Sequence, residues 1–158
     1  MFHPTREFGT CFFEQYAQIS LSALLGSEFD CLVNRDRPDL QSVDNHSIGI
    51  EVTRAMEESK RAGNGFYGHF DKMGLYVFCR ENLDAQEAVK AMNYTIQLQK
   101  YLDIRYNRLY LADVDDLFVC NLDDGLKDSS RLIRYPITQD QRQVFYHEAV
   151  LRQHGKHF

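Results

Sequence analysis

The chain has 158 residues, of which 44% are hydrophobic, 26% charged and 13% aromatic, with no Trp and a net charge of −5. These values fit one globular domain and exclude a disordered, collagenous or coiled-coil chain. The acidic balance excludes a surface coated in basic residues for bulk nucleic-acid binding, while leaving room for one basic groove.

The first segment, MFHPTREFGTCFF, carries charges where a signal peptide needs an apolar stretch. No run approaches the roughly 18 apolar residues of a membrane span. Cys11, Cys31, Cys79 and Cys120 form no CxxC or zinc-type pairing, and the last three lie in apolar runs. Buried thiols in a soluble, cytoplasmic protein are the expectation. No repeat or linker divides the chain, so a single domain over 1–158 is expected, with a loose tail at about 154–158.

In chain order, residues 10–26 predict a helix. Thr10 is its N-cap, Phe12, Tyr16, Ile19 and Ala23 form its apolar stripe, and Gly26 is its stop. Phe29 to Val33 predicts a short strand, Arg35 to Pro38 a charged turn, and 39–44 a second short strand. In Ile48 to Thr53, the residues Ile48, Ile50 and Val52 alternate with Gly49, Glu51 and Thr53, which predicts a strand with one apolar and one polar face. Residues 54–62 favour helix, and 63–74, rich in glycine and aromatics, predict a loop. Leu75 to Cys79 fits a strand or a buried helical turn, which periodicity alone does not separate. Asp84-Ala-Gln-Glu87 is a capping-box signature for a helix running to about Leu102, with Ala85, Val89, Met92 and Ile96 as its stripe. Leu109 to Ala112 and Leu117 to Cys120 predict strands, Asp124-Gly125 a turn, and Gln139 to Gln153 a last helix. The order indicates an α/β or α+β domain built on a mixed sheet.

The residues that carry chemistry lie in Arg37-Pro38-Asp39 and Ile50-Glu51-Val52-Thr53. Asp39 opens one short strand, and Glu51 follows twelve residues later on the polar face of the next. Glu51 and Thr53 point the same way because their separation is two. If the two strands pair as a hairpin, the two carboxylates approach and make a hard-cation site suited to Mg²⁺. Such an ion polarises a phosphodiester and lowers the pKa of a bound water.

This pattern resembles the PD-(D/E)XK nuclease superfamily, the restriction-endonuclease-like fold. That family carries Pro-Asp at one strand start and (Asp/Glu)-x-Lys at the end of an apolar strand further on. Pro38-Asp39 matches the first element. Glu51-Val52-Thr53 matches the second in frame, with Thr53 where the lysine is expected. The resemblance covers residues about 10–55, and the later elements only in order.

It implies an α/β fold with a mixed β-sheet flanked by helices. It also implies a Mg²⁺- or Mn²⁺-dependent nuclease acting on nucleic acid, DNA before RNA, with a homodimer as one form that cuts both strands. By the same resemblance Asp39 and Glu51 bind the metal, Thr53 stands at the water-positioning place, and Glu14 on the preceding helix is an accessory ligand. Lys60 and Lys90 are the lysines available to replace the missing one. Gln97 and Tyr101 match the Gln-x-x-x-Tyr element of the RecB-like branch, although a solvated helix face explains them better. The missing lysine and the acidic charge favour a rival reading, in which the fold has lost its chemistry and serves as a binding or assembly module.

Plainer readings stand beside these. Asp39 is a common turn residue, and Glu51 on a half-exposed strand would need no ligand. Arg35, Arg37, Arg54, Lys60 and Arg61 could contact phosphates, yet six acids share their window, which favours a mixed solvated surface. His46 precedes the Glu51 strand and is near enough in sequence to visit the site. Asp113-Val-Asp115-Asp116 is no EF-hand loop, because Phe118 stands where that loop needs Gly and Asp124 where it needs Glu.

Overall fold

The computed structural model describes residues 4–35, 38–44, 46–54, 70–79, 81–99, 106–123 and 131–155; among these, the side chains of 4–11, 34, 154 and 155 lie outside the description. Residues 55–62 of the predicted helix at 54–62, the turn at Gly63 to Gly65, Asp124-Gly125, Tyr101, Lys60, Arg37 and Arg61 all fall outside the described residues.

Helix α1 spans Pro4–Leu25. It opens on proline, whose missing N–H costs nothing in a first turn. Thr10 therefore lies inside the helix rather than capping it. The helix stops where expected, because Gly26 takes φ 133°, a conformation that glycine adopts freely. A short 3₁₀ turn, Ser27–Phe29, stands where the sequence predicted the start of a strand, and β1 is only Leu32–Asn34.

The remaining strands are β2 (Leu40–Ser42), β3 (Ile48–Thr53), β4 (Lys72–Phe78), β5 (Arg108–Ala112), β6 (Asp116–Asn121) and β7 (Leu132–Pro136). Helix α2 (Ala85–Leu98) lies between β4 and β5, and helix α3 (Gln139–Gly155) follows β7. Among the described residues seven strands join one sheet in sequence order. β1, β2 and β3 pair antiparallel, β3–β4 and β4–β5 pair parallel, and β5, β6 and β7 pair antiparallel. The fold is thus α/β with a mixed sheet flanked by helices.

Each face of the sheet carries its own core. On one, α1 and α3 cover Leu40, Ile48, Ile50, Tyr76 and Tyr110, with Phe145 and Ala149 supplied by α3. On the other, Ala88 and Met92 of α2 join Phe70, Met73, Leu75, Val77, Tyr106, Leu109 and Leu111. β4 is buried on both sides, as central parallel strands are. That is why its apolar run gave no period, and why it begins at Lys72 inside the predicted loop.

Burial of α1 differs from the predicted stripe, since Ala23 is exposed and Glu14, Gln18 and Ser20 are buried. α3 covers the flank that the sequence alone leaves open, through Tyr16 against Phe145 (ring centroids 5.9 Å apart) and Phe12 against Tyr146 (5.3 Å). The buried polar groups there are partnered: Gln18 Nε2 donates to the Phe29 and Asp30 carbonyls at 3.0 and 2.9 Å, and the Ser20 and Tyr76 hydroxyls share a bond of 2.7 Å. On α2 the capping box forms as expected, with Asp84 accepting from Glu87 N and Glu87 from Asp84 N. Its buried residues are Ala88, Met92 and Thr95, one step round from the predicted stripe, and Ala85 is exposed.

Of the described thiols, Cys120 is buried and Cys79 half-buried, but Cys31 is exposed. Among the described residues no helix is long and apolar enough to cross a membrane.

Candidate functional site

The site is built by the β2–β3 hairpin. Its turn is organised by Asp44, whose Oδ1 accepts from Ser42 Oγ at 2.7 Å and from His46 N and Ser47 N at 2.9 Å. Ser42 Oγ in turn accepts from Ile48 N at 3.0 Å. The Ser47 hydroxyl, then the other donors, hold the Asp44 carboxyl well below the usual carboxylate range. This turn sets the register Leu40↔Ile50 and Gln41↔Gly49. Carried one residue further, that register sets Asp39 opposite Glu51. Residues so opposed share a face, with Cβ atoms about 5 Å apart.

Three observations fix this placement. Asp39 Oδ2 accepts from Val52 N at 2.9 Å, which ties the carboxylate to β3. Pro38 and Phe70 lie against Gly49, where an added Cβ would come within 2.9 Å of Pro38 Cγ and 2.8 Å of the Phe70 ring. Gly49 faces the same side as Glu51 and Thr53, so these two residues roof the strand beside the acids. Under that roof Glu51 is 9% exposed and Thr53 6%. The face that reads as polar in the sequence is therefore covered, and Glu51 is not a solvated strand residue.

Tyr106 completes the group, and nothing in the sequence singled it out. It precedes β5, belongs to the core that lies on the Glu51 face, and is 3% exposed. Its backbone N–H donates to Gln99 Oε1, which fixes the residue, yet its buried hydroxyl has no hydrogen-bond partner among the described residues. Burial pushes the pKa of this phenol up, and the Glu51 and Asp39 carboxylates push it further. All three side chains thus share one electrostatic neighbourhood.

Two hard carboxylate oxygen donors with a polar group beside them fit Mg²⁺, which is held by one or two carboxylates and keeps several waters. They do not form a full protein cage: among the described residues no three His, Cys, Asp or Glu side chains converge as a metal-holding group. Glu14 therefore does not complete a triad with Asp39 and Glu51. It is buried on α1, which packs on the Ile48–Ile50 face of the sheet, the opposite side from Glu51.

Lys90 is exposed, lying between the buried Ala88 and Met92 on the outer side of α2. Helical geometry turns it away from β3. Gln97 is exposed, as a solvated helix face requires. His46 is 67% exposed and sits 3.7 Å from Asp44 at the turn end of the hairpin. Four strand residues, about 13 Å, separate that end from Glu51. Arg54 follows β3, exposed, with its guanidinium 5.3 Å from the centre of the Phe13 ring, and Arg35 is exposed before Asp39.

The second acidic cluster is structural. Asp113 Oδ1 accepts from Asp115 N and Asp116 N at 2.8 and 2.7 Å and forms the β5–β6 turn, and its Oδ2 accepts from Leu83 N at 2.6 Å. Arg134 of β7 grips both oxygens of Asp116 at 2.8 and 3.0 Å. A groove on the outer side of α3, lined by Val144, His147 and Leu151, holds none of these acids.

The chain was compared with protein-family models, with curated proteins and with solved structures, and no match was found in any of the three.

Proposed function

We propose that the protein is a metal-dependent nuclease of the PD-(D/E)XK type, with a restriction-endonuclease-like fold, hydrolysing phosphodiester bonds of DNA. The observation that carries this reading is the hairpin register. It sets Asp39 and Glu51, two acids far enough apart in sequence to belong to different strands, on one covered face of the sheet. Glu51 is buried and Asp39 half-buried, and acids brought together on a covered face are candidates for a functional site. Asp39 and Glu51 would hold Mg²⁺ or Mn²⁺, which, when bound, polarises the phosphodiester and makes a water nucleophilic near neutral pH. Thr53, on the same face, orients that water through its hydroxyl but supplies no positive charge to the developing phosphorane.

The second reading, a nuclease-like fold kept as a binding or assembly module, is favoured by that same Thr53 and by the net charge of −5. The test is cleavage of plasmid and single-stranded DNA with Mg²⁺ or Mn²⁺, run beside Asp39→Asn, Glu51→Gln and Thr53→Lys. Metal-dependent cutting that both acid variants lower by about 10²-fold or more is expected. Cutting by Thr53→Lys alone marks a fold whose chemistry was lost, and no cutting by any variant overturns the nuclease.

A further inference from the structure

We infer that Tyr106 is a positioning residue of the Asp39–Glu51 site, its buried hydroxyl hydrogen-bonding to a water bound beside the two carboxylates in the shell of a divalent cation. This rests on the cation-binding reading above and extends it to a residue outside the motif.

The first ground is the hydroxyl itself. Buried hydroxyls find partners, because one left without costs about 1–3 kcal/mol. Tyr76 obeys this, at 2.7 Å from Ser20 Oγ. Tyr106 is equally enclosed and has none among the described residues. The second ground is placement. Tyr106 belongs to the core on the Glu51 face, close enough to feel both carboxylates, and the Gln99 bond to its backbone N–H holds it there. The third is chemistry. Ionised carboxylates only accept hydrogen bonds, whereas a phenol both donates and accepts. A neutral phenol therefore pairs with a bound water whichever way the water is turned.

The test uses Mn²⁺ as the probe, with its affinity read by electron paramagnetic resonance and the exchange of its bound waters by proton relaxation. Asp39→Asn and Glu51→Gln are expected to weaken Mn²⁺ binding by about tenfold or more. Tyr106→Phe is expected to keep the affinity while speeding bound-water exchange about fivefold, the equivalent of one lost hydrogen bond at about 1 kcal/mol. Melting of Tyr106→Phe no lower than wild type excludes a general packing defect. If exchange is unchanged while the acid variants lose Mn²⁺, the role of Tyr106 falls and the cation site stands. If Tyr106→Phe loses Mn²⁺ as the acid variants do, the hydroxyl is a direct ligand and the water-mediated role falls. If neither acid variant alters Mn²⁺ binding, the cation site falls and takes this inference with it.

Discussion

Two places in the molecule put acids under cover, and they treat them in opposite ways. In the β5–β6 turn, Asp113 accepts three backbone N–H groups and Asp116 both arms of Arg134, so all four oxygens are engaged by the protein. In the β2–β3 hairpin, Asp39 accepts one N–H, from Val52, and a phenol without a partner lies beside it. The first arrangement spends its charges on holding a turn and an edge strand. The second uses a strand register to aim charges, and Asp39 keeps acceptor capacity over. Counting acids in the sequence rates the first cluster higher; comparing the bonds of Asp39 with those of Asp113 and Asp116 reverses the order.

The largest expected effect breaks the contrast if it fails. Asp113→Ala removes the acceptor of three backbone N–H groups, one of them on the buried Asp116, and should cost about 3 kcal/mol of stability in urea titration. Mn²⁺ binding should be unaffected. Asp39→Asn keeps an oxygen for Val52 N–H and should stay within about 1 kcal/mol of wild type while losing Mn²⁺. Equal losses of stability in the two variants would erase the distinction between the clusters.

A smaller effect sharpens the comparison across the sheet. Tyr76→Phe breaks a satisfied buried bond and should cost about 1 kcal/mol by thermal melting, whereas Tyr106→Phe should cost nothing or stabilise. The smallest effect concerns the turn that sets the register. Asp44 is bonded by Ser42, His46 and Ser47, and these bonds depress its folded-state pKa. A depressed acid contributes stability above its unfolded pKa and loses it as pH falls. The melting-temperature gap between wild type and Asp44→Ala should be present at pH 7 and close as pH drops below about 4. A gap that widens in acid would contradict the hydrogen bonds assigned to this turn.

What was legible in the sequence was local. β3 showed its period, Asp84 and Glu87 their capping box, and Pro38-Asp39 with Glu51 the two strands of a hairpin. What was not legible depends on distant residues. The start of α1 was hidden because Gly9, a poor helix former, precedes Thr10, which reads as an N-cap, and its second buried flank exists only because α3 lies on it. β7 was not predicted: it is a short edge strand ending in Pro136, with Ile133 51% exposed, and such edges carry weak alternation. Tyr106 was invisible because two crossovers separate it from Glu51, and an aromatic before a strand reads only as core. The burial of Glu51 was missed for the same reason, since Phe70, which precedes β4, covers its face of β3 at Gly49.

The strands stand in the sheet in the order in which they leave the ribosome. A growing chain can therefore add each new strand to the free edge of the last, without threading one between others. The acids at positions 39 and 51 can meet early, but position 106 emerges only after β4 and α2 have been made. Helix α1 precedes every strand yet packs against α3, which follows β7, so of the described elements it waits longest for its cover. The contact between α1 and α3 thus forms last, so removal of α3 should expose α1 while leaving the hairpin that carries the acids already paired.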